Sequence, residues 1–384
     1  MCAKVASPKL SDLLQRFVAE GCYAGVSVLA RRRGQELHRV AAGLQDIESQ
    51  RPMTTDSIVR IYSITKILTS VAALTFVEQG TIALADPVDA YLPEARGWRV
   101  YAGGSPEDPE LRDPMRPLML WDLFRHTAGL PYLVPGTPHA HLLEQARLTE
   151  AVSLADKVRR IARVPLARDP GVQFEYGYAT DLLARVLEVV SGQPFEAVLT
   201  ERVLEPAGMS QTGFSVADQA LDRLAMVHEG RGPGLPLKMV AIAPGEARPG
   251  AWGYPEGGSG LYSTLNDLAR FGEILCAGGE LNGVRLLGRK TLQWMTADHL
   301  LGTASPWHSF EPGCGFGLGV SVRVESGMAD RADSIGTFGW SGLASTSLRV
   351  DPLEQLVLVL FAQHFPYDEH RLFGRVTNMV YAQL

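Results

Sequence analysis

The sequence predicts an α+β fold: one antiparallel sheet assembled from both ends of the chain and flanked by terminal helices, with a mainly helical domain inserted between. Three observations carry that expectation. Strand-like apolar runs occur at 23–31 and 36–42, then resume only at 316–324, 334–339, 344–350 and 356–362. Amphipathic helical spacing borders them at 9–20 and 369–383. From Gly80 to about residue 254 the pattern is one of helices broken by Pro/Gly-rich loops. The expected organisation is therefore an α/β domain of 1–79 with 255–384 and a mainly helical domain of 80–254.

The elements follow in order. Residues 9–20 place apolar side chains at helical intervals, and a turn at Arg33-Gly34 then separates two strands, so a helix leading into a β-hairpin is expected. Ile61, Ile64, Ile67, Leu68, Val71 and Leu74 repeat with helical period and stop near Gly80. They predict a helix with Ser63 and Lys66 at its start. The segments 101–116 and 229–255 read as loops, and 165–178 as a turn-rich approach to a helix over 179–191. Residues 256–264 read as a flexible loop entering a helix over 266–276, with Thr264 and Asp267 placed as a capping box. Another helix is expected near 288–297.

Composition narrows the function. A net charge of −6 with arginines spread along the chain shows no basic stripe, so nucleic acid is not an expected partner. The first residues lack an apolar leader and no run reaches the length of a membrane span, so a cytoplasmic location without membrane attachment is expected. Cys2, Cys22, Cys276 and Cys314 are far apart and read as reduced thiols. His139-Ala-His141 with Glu144 is the nearest approach to a metal cluster, but it neighbours Pro135, Gly136 and Pro138 and reads as a surface loop. No metal and no cofactor are expected.

The chemistry concentrates at Ser63-Ile-Thr-Lys66. A serine hydroxyl needs an adjacent base, and a lysine three residues on along a helix can supply one if burial depresses its pKa. The chain has six lysines against thirty arginines, and Lys66 is the only lysine preceded at this spacing by a serine. The bland reading makes Ser63 a helix N-cap and Lys66 a solvated residue. Tyr176, at a loop-to-helix junction, reads either as a hydrogen-bonded hydrophobic anchor or as a phenol whose pKa a nearby cation, Lys66, would lower. The glycines of Phe338-Gly-Trp340-Ser341-Gly342-Leu343 let something approach the backbone closely, either a neighbouring strand or a substrate carbonyl. Trp340 is then core or a cleft wall. Gly258 and Ser259 are candidate cleft lining. His126, before Gly129, suits a helix C-terminus better than catalysis. No serine has glycine at both −2 and +2, which disfavours an α/β-hydrolase elbow.

In order and content these segments resemble the serine β-lactamase and penicillin-binding-protein superfamily, and most nearly its class C-like branch that includes the family VIII carboxylesterases. Ser63-Ile-Thr-Lys66, Tyr176 in Phe174-Glu-Tyr-Gly-Tyr178, and Trp340-Ser-Gly342 stand as the three motifs. The resemblance implies a β-lactamase-like fold, an acylated Ser63, and proton shuttling by Lys66 with Tyr176. It also implies an oxyanion hole from the backbone N–H groups of Ser63 and Leu343. Trp340, Ser341, Gly342, Tyr178, Gly258 and Ser259 would bind substrate. Lactamases of this branch carry Tyr-x-Asn and Lys-Thr-Gly where this chain has Tyr178 and Trp340-Ser341-Gly342. A small-molecule ester with a short-to-medium acyl group is therefore the expected substrate, with weak β-lactam hydrolysis at most. Acyl transfer, a D-amino-acid amidase or peptidase, a β-lactamase and a non-catalytic ligand-binding module are the alternatives.

Overall fold

A computed structural model describes residues 9–232, 235–243, 245–305 and 311–384. Its centre is an eight-stranded antiparallel sheet. The strands are β1 (Gly25–Arg32), β2 (Gln35–Asp46), β3 (Arg51–Pro52), β4 (Cys314–Phe316), β5 (Ser321–Arg323), β6 (Phe338–Gly342), β7 (Thr346–Asp351) and β8 (Leu356–Phe361). They run in the order β4-β5-β6-β7-β8-β1-β2-β3. The two ends of the chain meet where β1 pairs with β8, Ser27 opposite Phe361 and Arg31 opposite Val357.

Side-chain alternation explains why both faces are covered. Val26, Val28 and Ala30 of β1 and Leu356, Leu358 and Leu360 of β8 share one face. There they pack against α1 (Leu10–Ala19) and α6 (Leu372–Tyr381) through Leu14, Phe17, Leu372 and Val376. Leu29, Val357, Val359 and Phe361 face the other way, into the main core with α2 (Thr65–Glu78) and α5 (Leu265–Cys276). A strand buried on both faces needs no polar alternation, and every residue of β8 is buried.

Helix α2 is apolar on every side because it is surrounded: residues 65–74 are all buried. The main core continues from the sheet through α2 into α3 (Leu154–Ile161) and α4 (Ala179–Ser191), so the sheet and the intervening helical segment share one apolar interior.

Several expected elements differ in detail. The loops at 101–116 and 229–255 contain short antiparallel pairs, Val100–Gly104 with Pro109–Arg112 and Glu246–Arg248 with Ala251–Trp252. The strand expected at 316–324 is a hairpin, β4 and β5, because Gly319 at φ +87° turns the chain where it presses on Ser70. His139 and His141 lie on a helix, Pro138–Gln145, opened by a Thr137 cap. Thr264 caps α5, but Asp267 sends its carboxylate to Gln211 and Thr212 instead of closing the box. Among the described residues no helix is long and apolar enough to cross a membrane. Cys22, Cys276 and Cys314 are free thiols, while Cys2 lies outside the described residues.

Candidate active site

The position of Ser63 begins with a backbone conformation. A short strand, Val59–Arg60, runs into a 3₁₀ turn, Tyr62–Ile64, and only then into α2. Tyr62 takes φ +44°, a left-handed conformation that costs a non-glycine residue about 1–2 kcal/mol. Its ring is buried between Trp252 and Phe365, which holds it there. The bend lifts Ser63 clear of the helix, and the 3₁₀ geometry brings residues three apart nearly into register. Ser63 is thus not a helix N-cap, and Lys66 is not solvated: it is 1% exposed.

Lys66 Nζ donates to Ser63 Oγ at 3.3 Å, to the Tyr132 hydroxyl at 2.9 Å and to the Gly258 carbonyl at 2.7 Å. All three partners are uncharged. Burial brings the Lys66 pKa down to about 7; Asp181 and Glu256 pull it upward and Lys157 pushes it further down. Near neutral pH a large fraction of Lys66 is therefore a free amine within reach of a serine hydroxyl.

Tyr132 was not singled out in the sequence, and the fold explains how it arrives. Tyr132 N–H donates to the Tyr176 carbonyl at 3.1 Å and Tyr178 N–H to the Leu130 carbonyl at 2.9 Å. The two extended segments approach so closely that a Cβ on Gly177 would sit 1.9 Å from the Leu130 oxygen. This pairing stacks Tyr132 edge-on against both Tyr176 and Tyr178, at 5.4 and 4.7 Å. The only local signal was the turn at Gly129, whose φ is +71°.

The Tyr176 hydroxyl hydrogen-bonds Ser63 and accepts from Trp340 Nε1 at 2.8 Å. Lys66 Nζ lies 4.8 Å from the Tyr176 ring centre. The expected lowering of the Tyr176 pKa does not occur: burial raises it above the usual phenol value, and the hydrogen bonds from Ser63 and Trp340 offset only part of that. Trp340 is not a purely apolar wall, since its indole N–H addresses the Tyr176 phenol. His126 packs behind Tyr176, ring centres 4.7 Å apart, with its pKa pushed well down by burial and by Lys66, so it stays neutral and structural.

The segment 256–260 is anchored rather than flexible. Asp181 of α4 accepts from Gly258 N–H at 2.9 Å, and Thr69 of α2 donates to the Gly257 carbonyl at 2.8 Å. A side chain at Gly257 would come within 2.3 Å of the Thr180 carbonyl oxygen. Asp181 in turn pairs with Lys157 at 3.1 Å, and Lys157 with Glu256 at 3.0 Å. None of these three ions was anticipated, and together they fix the peptide whose carbonyl receives Lys66.

The third motif reaches the site by backbone contact. A Cβ on Gly339 would lie 2.0 Å from the Leu348 carbonyl of β7, so that glycine serves the strand pairing. At Gly342 it would lie 2.3 Å from the Ile61 carbonyl, so that glycine lets the end of β6 press against the segment carrying Ser63. Leu343, half exposed, follows at the cleft mouth. The cleft, about 1010 Å³, is lined by Ser63, Tyr132, Tyr176, Tyr178, Ser259, Trp340, Ser341, Gly342 and Leu343. Its charges are paired: Glu246 with Arg60, Glu311 with Arg331 and Arg349, and the Lys157 trio.

Residues 10–378 match the Beta-lactamase family. The chain belongs to the beta-lactamase family. Within the wider serine β-lactamase and penicillin-binding-protein superfamily it is similar to the esterase EstB of Burkholderia gladioli, 31% identical over 366 residues that cover 89% of this chain and 86% of EstB. It is likewise similar to protein Rv1367c of Mycobacterium tuberculosis, 30% identical over 360 residues, 90% of this chain and 87% of that one. Among solved structures, EstCE1, a hydrolase with promiscuous acyltransferase activity, superposes with a TM-score of 0.80 at 25% identity over 96% of this chain and 97% of its own. The simvastatin synthase LovD of Aspergillus terreus shares the fold at a TM-score of 0.83, 23% identical over 97% of both chains. A beta-lactamase-family chain with this site is a serine hydrolase.

Proposed function

We propose that the protein is a carboxylesterase acting on uncharged esters with short-to-medium acyl groups through an acyl-enzyme on Ser63. The observation that carries this reading is Ser63 Oγ 3.3 Å from a fully buried lysine whose pKa lies near 7. In acylation Ser63 Oγ bonds to the ester carbonyl carbon while its proton passes to Lys66. The carbonyl oxygen becomes an oxyanion held by the N–H groups of Ser63 and Leu343. Collapse breaks the bond to the alkoxide, which receives a proton from the Tyr176 hydroxyl as Lys66 returns one to it. Water then attacks the acyl carbon by the same route, and Ser63 leaves protonated.

The charge pattern supports an uncharged substrate. Penicillins and cephalosporins bring a carboxylate, and a hydrogen bond to a charged group contributes about 1.5–3 kcal/mol. Among the described residues every cation lining the cleft already faces a carboxylate: Arg349 faces Glu311, and Lys157 faces Asp181 and Glu256. EstB's name as an esterase points the same way. The test is kcat/KM for p-nitrophenyl butyrate and for nitrocefin on one preparation, with mass spectrometry of phosphonate-inactivated protein. The ester value exceeds the nitrocefin value by roughly ten- to a hundredfold or more, and the adduct sits on Ser63. Equal rates, or an adduct on another serine, would overturn the reading.

Acyl transfer is a second reading, favoured by the cleft's size. At about 1010 Å³ it stands at the upper end of small-molecule pockets and has room for an acyl chain beside an acceptor alcohol. Product analysis with added alcohol separates transfer from hydrolysis.

A further inference from the structure

We propose that His364, Glu369 and His370 form a binding site for one zinc-like divalent ion, on the loop that backs the turn carrying Leu343. The three side chains belong to a single short segment, His364-Phe-Pro-Tyr-Asp-Glu369-His370, outside the cleft. His364 Nε2 lies 3.0 Å and His370 Nε2 3.6 Å from the same oxygen of Glu369, and one ligand atom from each residue lies within 4.8 Å of the others. With metal–nitrogen and metal–oxygen bonds of about 2.0–2.2 Å, tetrahedral ligands stand roughly 3.4 Å apart. The two carboxylate-to-imidazole spacings bracket that edge length. The third edge, between the two imidazoles, is at most 4.8 Å, and His370, whose side chain is 33% exposed, is the freer of the two to shorten it.

The donor set selects the ion. Two imidazoles and one carboxylate suit zinc and its neighbours, whereas calcium and magnesium take all-oxygen shells. His364 is fully buried and turns its Nε2, the atom a metal takes, toward Glu369 at 3.0 Å. Tyr23 packs edge-on against both imidazoles, at 4.8 and 5.4 Å, and limits their orientation. Glu369 and His370 remain open to solvent, which provides the entry path and a water as fourth ligand. His141 offers a contrast. It stands 3.6 Å from Glu107 and 3.7 Å from Glu144, but among the described residues no second imidazole joins it there, and all three side chains are exposed.

The loop is wired to the active site. His364 N–H donates to the Ala344 carbonyl at 3.0 Å, and Ser345 Oγ donates to the His364 carbonyl and accepts from Asp368 N–H, both at 3.0 Å. The Gln363 side-chain amide accepts from the Arg60 N–H at 3.2 Å and donates to the Arg60 carbonyl at 2.9 Å. Tyr367 lines the cleft. An ion joining His364 to Glu369 and His370 closes the loop on itself and braces the segments behind Leu343 and Ser63 without touching substrate.

The test uses the untagged full chain, stripped with a chelator and dialysed, then titrated with ZnCl₂ against a chromophoric chelator. Thermal unfolding is followed in parallel at increasing zinc. The wild type binds one equivalent, and its Tm climbs with zinc concentration by mass action. His370→Gln and Glu369→Gln, both at partly exposed positions, each weaken binding by about tenfold or more and abolish the Tm rise, while His141→Gln changes neither. A wild-type Tm indifferent to zinc, or zinc affinity unchanged in both His370→Gln and Glu369→Gln, would overturn the proposal.

Discussion

Lys66 and Lys157 are both buried, Lys157 lining the cleft and Lys66 just behind its lining residues Ser63, Tyr132 and Gly258, and they titrate in opposite directions. Burial lowers each. Around Lys157 that cost is outweighed by Asp181 at 3.1 Å and Glu256 at 3.0 Å, so its pKa rises above the usual lysine value and it stays charged. Lys66 touches a serine hydroxyl, a phenol and a peptide carbonyl, none of which carries charge, and its pKa falls to about 7. A buried lysine is a base or a structural cation according to whether a carboxylate reaches it. Here the same carboxylate, Asp181, acts on both at different range: it pairs directly with Lys157, while it reaches Lys66 through the Gly258 peptide and as a more distant charge that only partly offsets burial.

The largest effect is expected from removing the Lys66 amine, the base of the proposed mechanism. Lys66→Met keeps an unbranched side chain and loses the amine; kcat for p-nitrophenyl butyrate falls by about 10⁴- to 10⁶-fold with the circular dichroism spectrum unchanged. A loss under tenfold would show that Ser63 is activated elsewhere.

Removing the other lysine breaks the comparison from the opposite side. Lys157→Met leaves Asp181 and Glu256 buried without their counter-ion, and chemical unfolding registers a loss of about 3–5 kcal/mol. The groups facing Lys66 are Ser63 and His126, Tyr132, Tyr176, Asp181, Glu256 and Lys157, and of these only Lys157 is a fixed cation. In the wild type kcat/KM climbs about tenfold per pH unit up to a pH near 7, where Lys66 loses its proton, and then levels. Lys157 pushes the Lys66 pKa down, so its removal raises that pKa and moves the acid limb to higher pH. An acid limb that stays in place would show that the trio does not set the base.

The smallest effect separates Trp340 as wall from Trp340 as donor. Trp340→Phe keeps an aromatic surface and removes the 2.8 Å hydrogen bond to Tyr176. A net hydrogen bond contributes about 0.5–1.5 kcal/mol, so kcat falls roughly two- to tenfold while KM changes little. A change confined to KM would assign Trp340 to the wall alone.

Much of the fold was legible locally because period-2 and period-3.6 patterns report which face each element buries. The β1–β2 hairpin, the helix over 179–191 and the sheet built from both termini are of this kind. Short pairs such as Val100–Gly104 with Pro109–Arg112 were hidden, since glycine and proline mark a turn without revealing the strands beside it. In the site, Ser63 and Lys66 were legible through their spacing and Tyr176 through its motif. Tyr132, Lys157, Asp181 and Glu256 were not.

By itself the sequence determined that a serine and a lysine stand three residues apart at the head of an apolar helix, and that no lysine occupies the third motif. Tertiary structure alone decided what Lys66 is. Its hydrogen bonds reach Tyr132 and Gly258, 66 and 192 residues away, and its ionisation depends on the absence of water and on the distance to Asp181. A side chain's pKa is set by the dielectric and the charges around it in space, and neither is written in its neighbours along the chain.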